Sequence, residues 1–328
     1  VNRLALIAIL ALIASLFVGS LLIGPAGAAP GASLRALVLG GDGPLALVMR
    51  EIRLPRALLA LAIGLSLGVS GAALQGYLRN PLAEPGLIGV SGGAALGAVI
   101  ALQTGFALAF PLALPGAALL GALGAVMLIL GLAGSRGSSL TLILAGVAIS
   151  ALAGALTSLV LNLSPNPFAA SEIVFWMMGS LSDRSFAHLW LALPFMVIGW
   201  ALLLPLGRGL DALTLGEDAA EAMGVRLARL RLMLVLGVAA AVGASVAVAG
   251  AIGFVGLVAP HLMRPFVGAR PAPLLYASAL CGAALVLGAD IAVRLVMPER
   301  DLKLGVMMAL VGAPFFLHLV FRMRGAFR

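Results

Sequence analysis

Four stretches of this chain contain no Asp, Glu, Lys or Arg at all: Pro85–Ser135, Gly137–Ser171, Leu232–Met263 and Leu304–Phe321. A soluble domain cannot supply so much surface without charge. A helix crosses the hydrocarbon core with about 20 apolar residues, whereas a membrane barrel needs alternation along short strands. These runs do not alternate, and only 10% of the 328 residues are charged while 62% are hydrophobic. The reading is an all-α, polytopic membrane protein forming one transmembrane domain over residues 1–328.

The apolar runs between charge clusters predict about ten spans, at roughly 4–24, 57–76, 86–103, 113–133, 140–162, 187–206, 230–250, 254–264, 274–293 and 304–321. The first resembles a signal sequence, but its apolar run is about 20 residues, longer than the usual 7–15, and reads as a span. The eighth is too short to cross as one straight helix. Its opening, "GAIGFVGLVAP", predicts a broken or re-entrant segment, which membrane depth tolerates only where protein or a water-filled cavity covers the backbone. With the N-terminus cytoplasmic, twelve basic residues fall on the inner side and eight on the outer. The positive-inside rule therefore favours both termini in the cytoplasm. Small-residue pairs such as Gly64/Gly68, Gly89/Gly93 and Gly93/Gly97 suit close helix packing, read here as packing within one subunit.

The formal charge of +8 comes from nineteen arginines and one lysine with no basic run. It is read as topology signal rather than as a nucleic-acid surface, since no basic stripe or aromatic platform accompanies it. The single Cys281 excludes an internal disulfide. His188, His261 and His318 stand too far apart in sequence for a metal-ligand motif, and no metal site is expected. Asp290, near the outer end of its span with Arg294 four residues on, reads as half of a structural ion pair. The string "RNPLAEP" (79–85) is placed at the cytoplasmic turn after the second span, with Pro81 and Pro85 ending the helix.

"LQGYLRNPLAEPGLIGVSGGAALGA" (74–98) resembles the signature of the FecCD family, the permease subunits of type II ABC importers for iron chelates, haem and vitamin B12. So do "RLPRALLALAIGLSLGVSGAALQ" (53–75), "WMMGSL" (176–181), "LGEDAAEAMGV" (215–225), "VAVAGAIGFVGLVAPHLMR" (246–264), "GADIAVR" (288–294) and "GAPFF" (312–316). "WMMG" and "RNPLAEPGLIGVS" are closest to the vitamin B12 branch of the family. Two strings depart from the pattern: "GARPAP" (268–273) replaces an acidic-histidine-arginine string, and "DLKLG" (301–305) carries Lys303 where proline is usual.

The resemblance implies a type II importer permease fold and assigns roles to particular residues. The loop at about 207–230 would couple to an ATPase through Leu215, Gly216, Glu217, Asp218, Glu221, Met223 and Gly224. On charge pattern alone that loop is a solvated amphipathic helix. Ser139 and Leu140 match a cytoplasmic gate. Arg53, Arg56 and Arg294 match arginines that meet the binding protein, their plainer reading being local pairing of Arg53 with Glu51 and Arg294 with Asp290. The implied partners are a second copy of the chain, two ATPase subunits, a periplasmic substrate-binding protein and the lipid of a bacterial inner membrane. The chain itself has no phosphate-binding G-x-x-x-x-G-K-[ST] string. It is therefore expected to be non-catalytic and without cofactors, with ATP and magnesium held by the partner. Its expected function is to form the path for a metal-chelate cargo: a ferric siderophore, haem or cobalamin. The alternatives are an ion-coupled secondary transporter, which would carry paired acids within its spans, and a membrane scaffold or receptor.

Overall fold

The computed structural model describes residues 3–24, 28–41, 43–110, 112–134, 139–164, 167–297 and 302–324. Among them the chain is helical, without strands. In order the helices are α1 (Arg3–Leu22), α2 (Pro30–Leu39), α3 (Pro44–Leu78), α4 (Val90–Gln103), α5 (Ala113–Ala133), α6 (Ser139–Asn162) and α7 (Pro167–Met177). There follow α8 (Phe186–Leu213), α9 (Glu217–Ala222), α10 (Leu227–Ala249), α11 (Val255–Val267), α12 (Pro271–Val296) and α13 (Leu304–Arg324). Each of the ten expected apolar segments forms a helix. Seven of them (α1, α3, α5, α6, α8, α10 and α12) are long and apolar enough to cross a membrane, while α4, α11 and the apolar part of α13 are shorter.

Helix α3 is the axis of the bundle. Its 35 residues span about 50 Å, and most of its apolar stretch is buried. What lets other helices close around it is the lack of side chains at the contacts. A Cβ on Gly64 would strike the backbone of Gly282 and Ala283, one on Gly68 the Ser278 carbonyl, and one on Gly71 the Gly256 carbonyl. Gly64 and Gly68 thus set α3 against α12, and Gly71 sets it against α11. Gly93 and Gly97 do the same for α4 against Gly121 and Ala117 of α5. Backbone approach of this kind maximises dispersion contact where no hydrophobic driving force separates helix from lipid. These small-residue pairs are therefore used inside the subunit.

Helix α1 is the opposite case. Leu4, Ile7, Leu10 and Leu12 are exposed, as suits a helix turned to lipid, and it packs along α12 by contacts such as Gly19 on Ile291.

Helix α3 closes with Arg79 in a left-handed conformation at φ 49°, two residues before Pro81, as expected of a helix that the proline cannot continue. One expectation about the fold is corrected: the chain does not then stay at the surface. Pro85 packs against Gly256, whose other close neighbour is the Leu67 carbonyl. The string 79–85 therefore folds back alongside α3, to a level about 16 Å from its end.

Candidate functional site

At one end of the bundle α8 runs on to Leu213, and its last turn is fastened to the start of α12. Asp211 accepts from the Ala272 amide (2.9 Å) and from Arg270 (2.8 Å). The arginine of the unusual "GARPAP" string is thus a brace for this loop. Beyond it Gly216 (φ 111°) and Gly224 (φ 87°) bracket α9. Neither has a neighbour that a Cβ would meet, so glycine is needed there for its conformation rather than for room. Buried Ala220 anchors α9, and its carbonyl accepts from the Val225 amide. Leu215 (68%) and Met223 (62%) stand exposed at either end of the short helix, with Asp218 and Glu221 also exposed. The result is a braced loop offering two apolar prongs with an acidic edge.

At the opposite end lies a cluster of buried charge. Asp290, 1% exposed, accepts from Arg56 (2.8 Å, 16% exposed) and from Arg294 (2.7 Å). Arg294 also donates to Ser20 Oγ and to the carbonyls of Ser20 and Ile23. Arg53 is buried and donates to the carbonyls of Leu21 and Leu22. The carboxyl end of a helix leaves its last carbonyls without intrahelical partners, and at α1 two guanidiniums take them up. Arg53 therefore does not pair with exposed Glu51, as charge pattern alone suggested. Its oxygen partners are backbone atoms some 30 residues away, with the Met49 sulfur beside them at 3.8 Å. Arg50 treats the end of α2 likewise, donating to the carbonyls of Leu37 and Val38.

Between the two ends, two non-helical segments cross. Helix α10 stops at Gly250 (φ 72°), and Phe254, at φ 66°, begins α11; this is the expected broken segment. Glu84 reaches it, its Oε1 accepting the Phe254 N–H. Gln75 of α3 donates to the carbonyls of Ala83 and Gly256, each at 3.3 Å, and accepts from Arg264 at 2.7 Å. Asn80 accepts from the Leu82 amide. A cavity of about 230 Å³ lies at the crossing, lined by Leu67, Glu84, Ser91, Val242, Ile252 and Gly253 among others. The particular wording of "LQGYLRNPLAEP" is explained by these contacts. Glu84 and Gln75 satisfy backbone groups that the break in the helices leaves open.

A second junction joins α7, α10 and α13. The Ser180 amide donates to the Ala249 carbonyl and the Gly305 amide to the Gly179 carbonyl. A Cβ on Gly179, Gly250 or Gly305 would strike the backbone of the others' segments. Beside it Lys303 places its ammonium 5.6 Å from the centre of the Phe175 ring, a cation–π contact that ties the start of α13 to α7.

Of the other candidates, Ser139 opens α6 and Leu140 is exposed; residues 135–138 before them, like Asp301 of the "DLKLG" string, lie outside the described residues. His188 caps α8 with Ser185, and His261 stands edge-on to Phe315. Asp211, Phe254 and Gln75 were not singled out from the sequence. Gln75 carried a signal as a polar residue inside an apolar helix, and Phe254 lay within the expected broken segment, while Asp211 carried none.

The profile of the FecCD transport family matches residues 7–322. The chain belongs to the FecCD transport family. The vitamin B12 import system permease protein BtuC of Vibrio cholerae is 43% identical over 274 residues, covering 83% of this chain and 82% of that protein. The Fe(3+) dicitrate transport system permease protein FecD of Escherichia coli is 39% identical, over 84% of this chain and 86% of its own. The hemin transport system permease protein HmuU of Yersinia pestis is 40% identical, over 84% and 83%. Among solved structures, an inward-facing metal-chelate type ABC transporter superposes with a TM-score of 0.84 at 34% identity, covering 97% of this chain and 98% of the other. The expected importer permease fold of this family member is thereby established.

Proposed function

We propose that this FecCD family member is the membrane-spanning permease subunit of a bacterial ABC importer. Two copies form a path for a metal-chelate cargo (a ferric siderophore, haem or cobalamin) received from a periplasmic binding protein, and a separate pair of ATPase subunits supplies the energy. The chain is non-catalytic, and ATP and magnesium belong to the partner. It sits in the inner membrane with both termini on the cytoplasmic side.

The observation that carries this reading is the braced α9 loop. Exposed Leu215 and Met223 beside Asp218 and Glu221 have the form of a helix-in-groove anchor, with an apolar contact and polar edges. The brace through Asp211, Arg270 and Ala272 would pass a push on α9 to α8 and α12 instead of letting the loop absorb it. Glu217, Gly216 and Gly224 shape the same loop. Ser139 and Leu140, at the start of α6, are assigned to the cytoplasmic gate.

At the outer face we assign binding-protein docking to the cluster of Arg53, Arg56 and Arg294. Two guanidiniums hold the one carboxylate there and the third, Arg53, is bonded to backbone carbonyls of α1, so the cluster retains a positive excess that an acidic partner surface complements. Arg56 is the member with enough exposure to touch a partner; Arg53 and Arg294 contribute field and scaffold. The ion-coupled alternative is disfavoured at Asp290, whose carboxylate is held by two arginines rather than facing a second acid.

The test is co-expression with an ABC-type ATPase subunit from the same organism, followed by co-purification. The native chain should retain the ATPase, and Met223→Asp should lose it or uncouple hydrolysis from uptake while the permease stays folded. Normal association and normal stimulation of hydrolysis in that variant would refute the assignment.

A further inference from the structure

Glu84 is an acidic side chain inside an apolar bundle, and neither the coupling loop nor the arginine cluster uses it. It meets the N-terminus of α11, where helix amides without partners carry a partial positive charge. The residue whose amide it holds, Phe254, is one of three non-glycine residues with positive φ among those described. That conformation costs about 1–2 kcal/mol for a residue with a Cβ, so the surrounding structure must impose it.

What the strain achieves is visible on the other side of Phe254. Its ring lies where the side chain of residue 312 would be: a Cβ on Gly312 of α13 would overlap Phe254 Cβ and Cγ. Helix α13 is held elsewhere by the Gly305–Gly179 backbone bond at its start and by contacts with α11 and α12. Leu310, Val311, Leu317 and Phe321 on it are exposed. The start of α13 is further held by Lys303 over Phe175 and by buried Leu304 and Met308, and Phe315 meets His261 of α11; the Phe254 ring is the restraint at Gly312, midway along it. Glu84 itself is fixed from the far side. Pro85, the next residue, packs on Gly256, and Gln75 ties Ala83 and Gly256 to α3.

We propose that Glu84 is a positioning residue of the transport path. By holding the Phe254 amide it keeps the broken segment 250–254 in its left-handed turn, and so keeps the Phe254 ring pinned on Gly312, fixing α13 against α11. Without the acceptor, Phe254 relaxes to an ordinary conformation, the ring leaves Gly312, and α13 is released. The consequence for transport rests on the permease reading, because a helix must be free to move at one stage of the cycle and held at another. The latch itself can be tested without cargo or ATPase.

The experiment is hydrogen exchange by mass spectrometry on the full chain in lipid nanodiscs, following the peptide covering 304–319. In Glu84→Ala, exchange in that peptide should be at least about fivefold faster than in the native protein. Glu84→Gln keeps a carbonyl acceptor in place and should stay within about twofold of native. Phe254→Gly is an independent arm. Glycine adopts φ 66° without strain and leaves the amide for Glu84, so the fold is retained, but the ring is gone and α13 should exchange as fast as in Glu84→Ala. A merely local cap would alter only the 250–258 region. Native-like exchange of 304–319 in Glu84→Ala or in Phe254→Gly would overturn the proposal, as would Glu84→Gln behaving like Glu84→Ala. Should Glu84→Ala fail to fold, the other two variants decide it.

Discussion

Asp290 shows how a single residue can hold three elements. Its two oxygens divide between Arg56 on α3 and Arg294 on α12, and Arg294 continues to the end of α1. Removing one partner of a buried ion pair costs about 3–5 kcal/mol, because the other charge is left without compensation. Asp290→Asn leaves two guanidiniums facing a neutral amide. We expect a marked drop in the melting temperature of the detergent-solubilised protein, with α1 the first element to gain proteolytic access. Arg56→Gln removes the more exposed arm and should cost less stability. It should slow binding-protein docking at low salt, with the difference from native shrinking at high salt as screening takes over. Docking rates that are the same for both proteins at all salt concentrations would leave Arg56 as a structural residue only.

At the scale of elements, the bundle depends on where side chains are missing. Gly71 and Gly116 are both glycines in apolar helices, yet a Cβ on Gly71 would strike the backbone of Gly256 while one on Gly116 would meet nothing within 4 Å. Overpacking a close contact costs about 1–3 kcal/mol or more, since rigid backbone cannot step aside as a side chain can. Gly71→Ala should therefore reduce the yield of monodisperse protein sharply, and Gly116→Ala should leave size-exclusion profile and melting temperature unchanged. Equal tolerance of both would contradict the packing described around α3. On α9, Leu215→Asp should weaken ATPase association as Met223→Asp does, whereas Asp218→Asn, on the polar edge, should change it by less than about threefold. Pull-down of the ATPase from detergent extracts checks the ranking.

At the scale of the whole molecule, legibility followed the range of the interactions. The charge-free runs announced the helices, because apolar length is a local property that the bilayer reads directly. The break before Phe254 was equally visible in "GAIGF". The position of the string after α3 was not. Prolines at 81 and 85 suggest a surface turn, and only the contact of Pro85 with Gly256, far along the chain, draws that turn inward. The plainer pairing of Arg53 with Glu51 fails for a related reason: Arg53 donates to backbone carbonyls of α1, which no charge pattern displays. The coupling loop and arginine cluster became candidates only through family resemblance, since a braced loop and a solvated one share the same alternation of acids and arginines.

The central claim is that this chain works as half of a path driven by a separate ATPase. Native mass spectrometry of the complex released from membranes after co-expression with that ATPase measures it directly. The expected assembly contains two copies of the 33.0 kDa chain and two of the ATPase, with the ATPase lost from Met223→Asp. A single permease chain, or a permease that never carries an ATPase under conditions that preserve the membrane assembly, would contradict it.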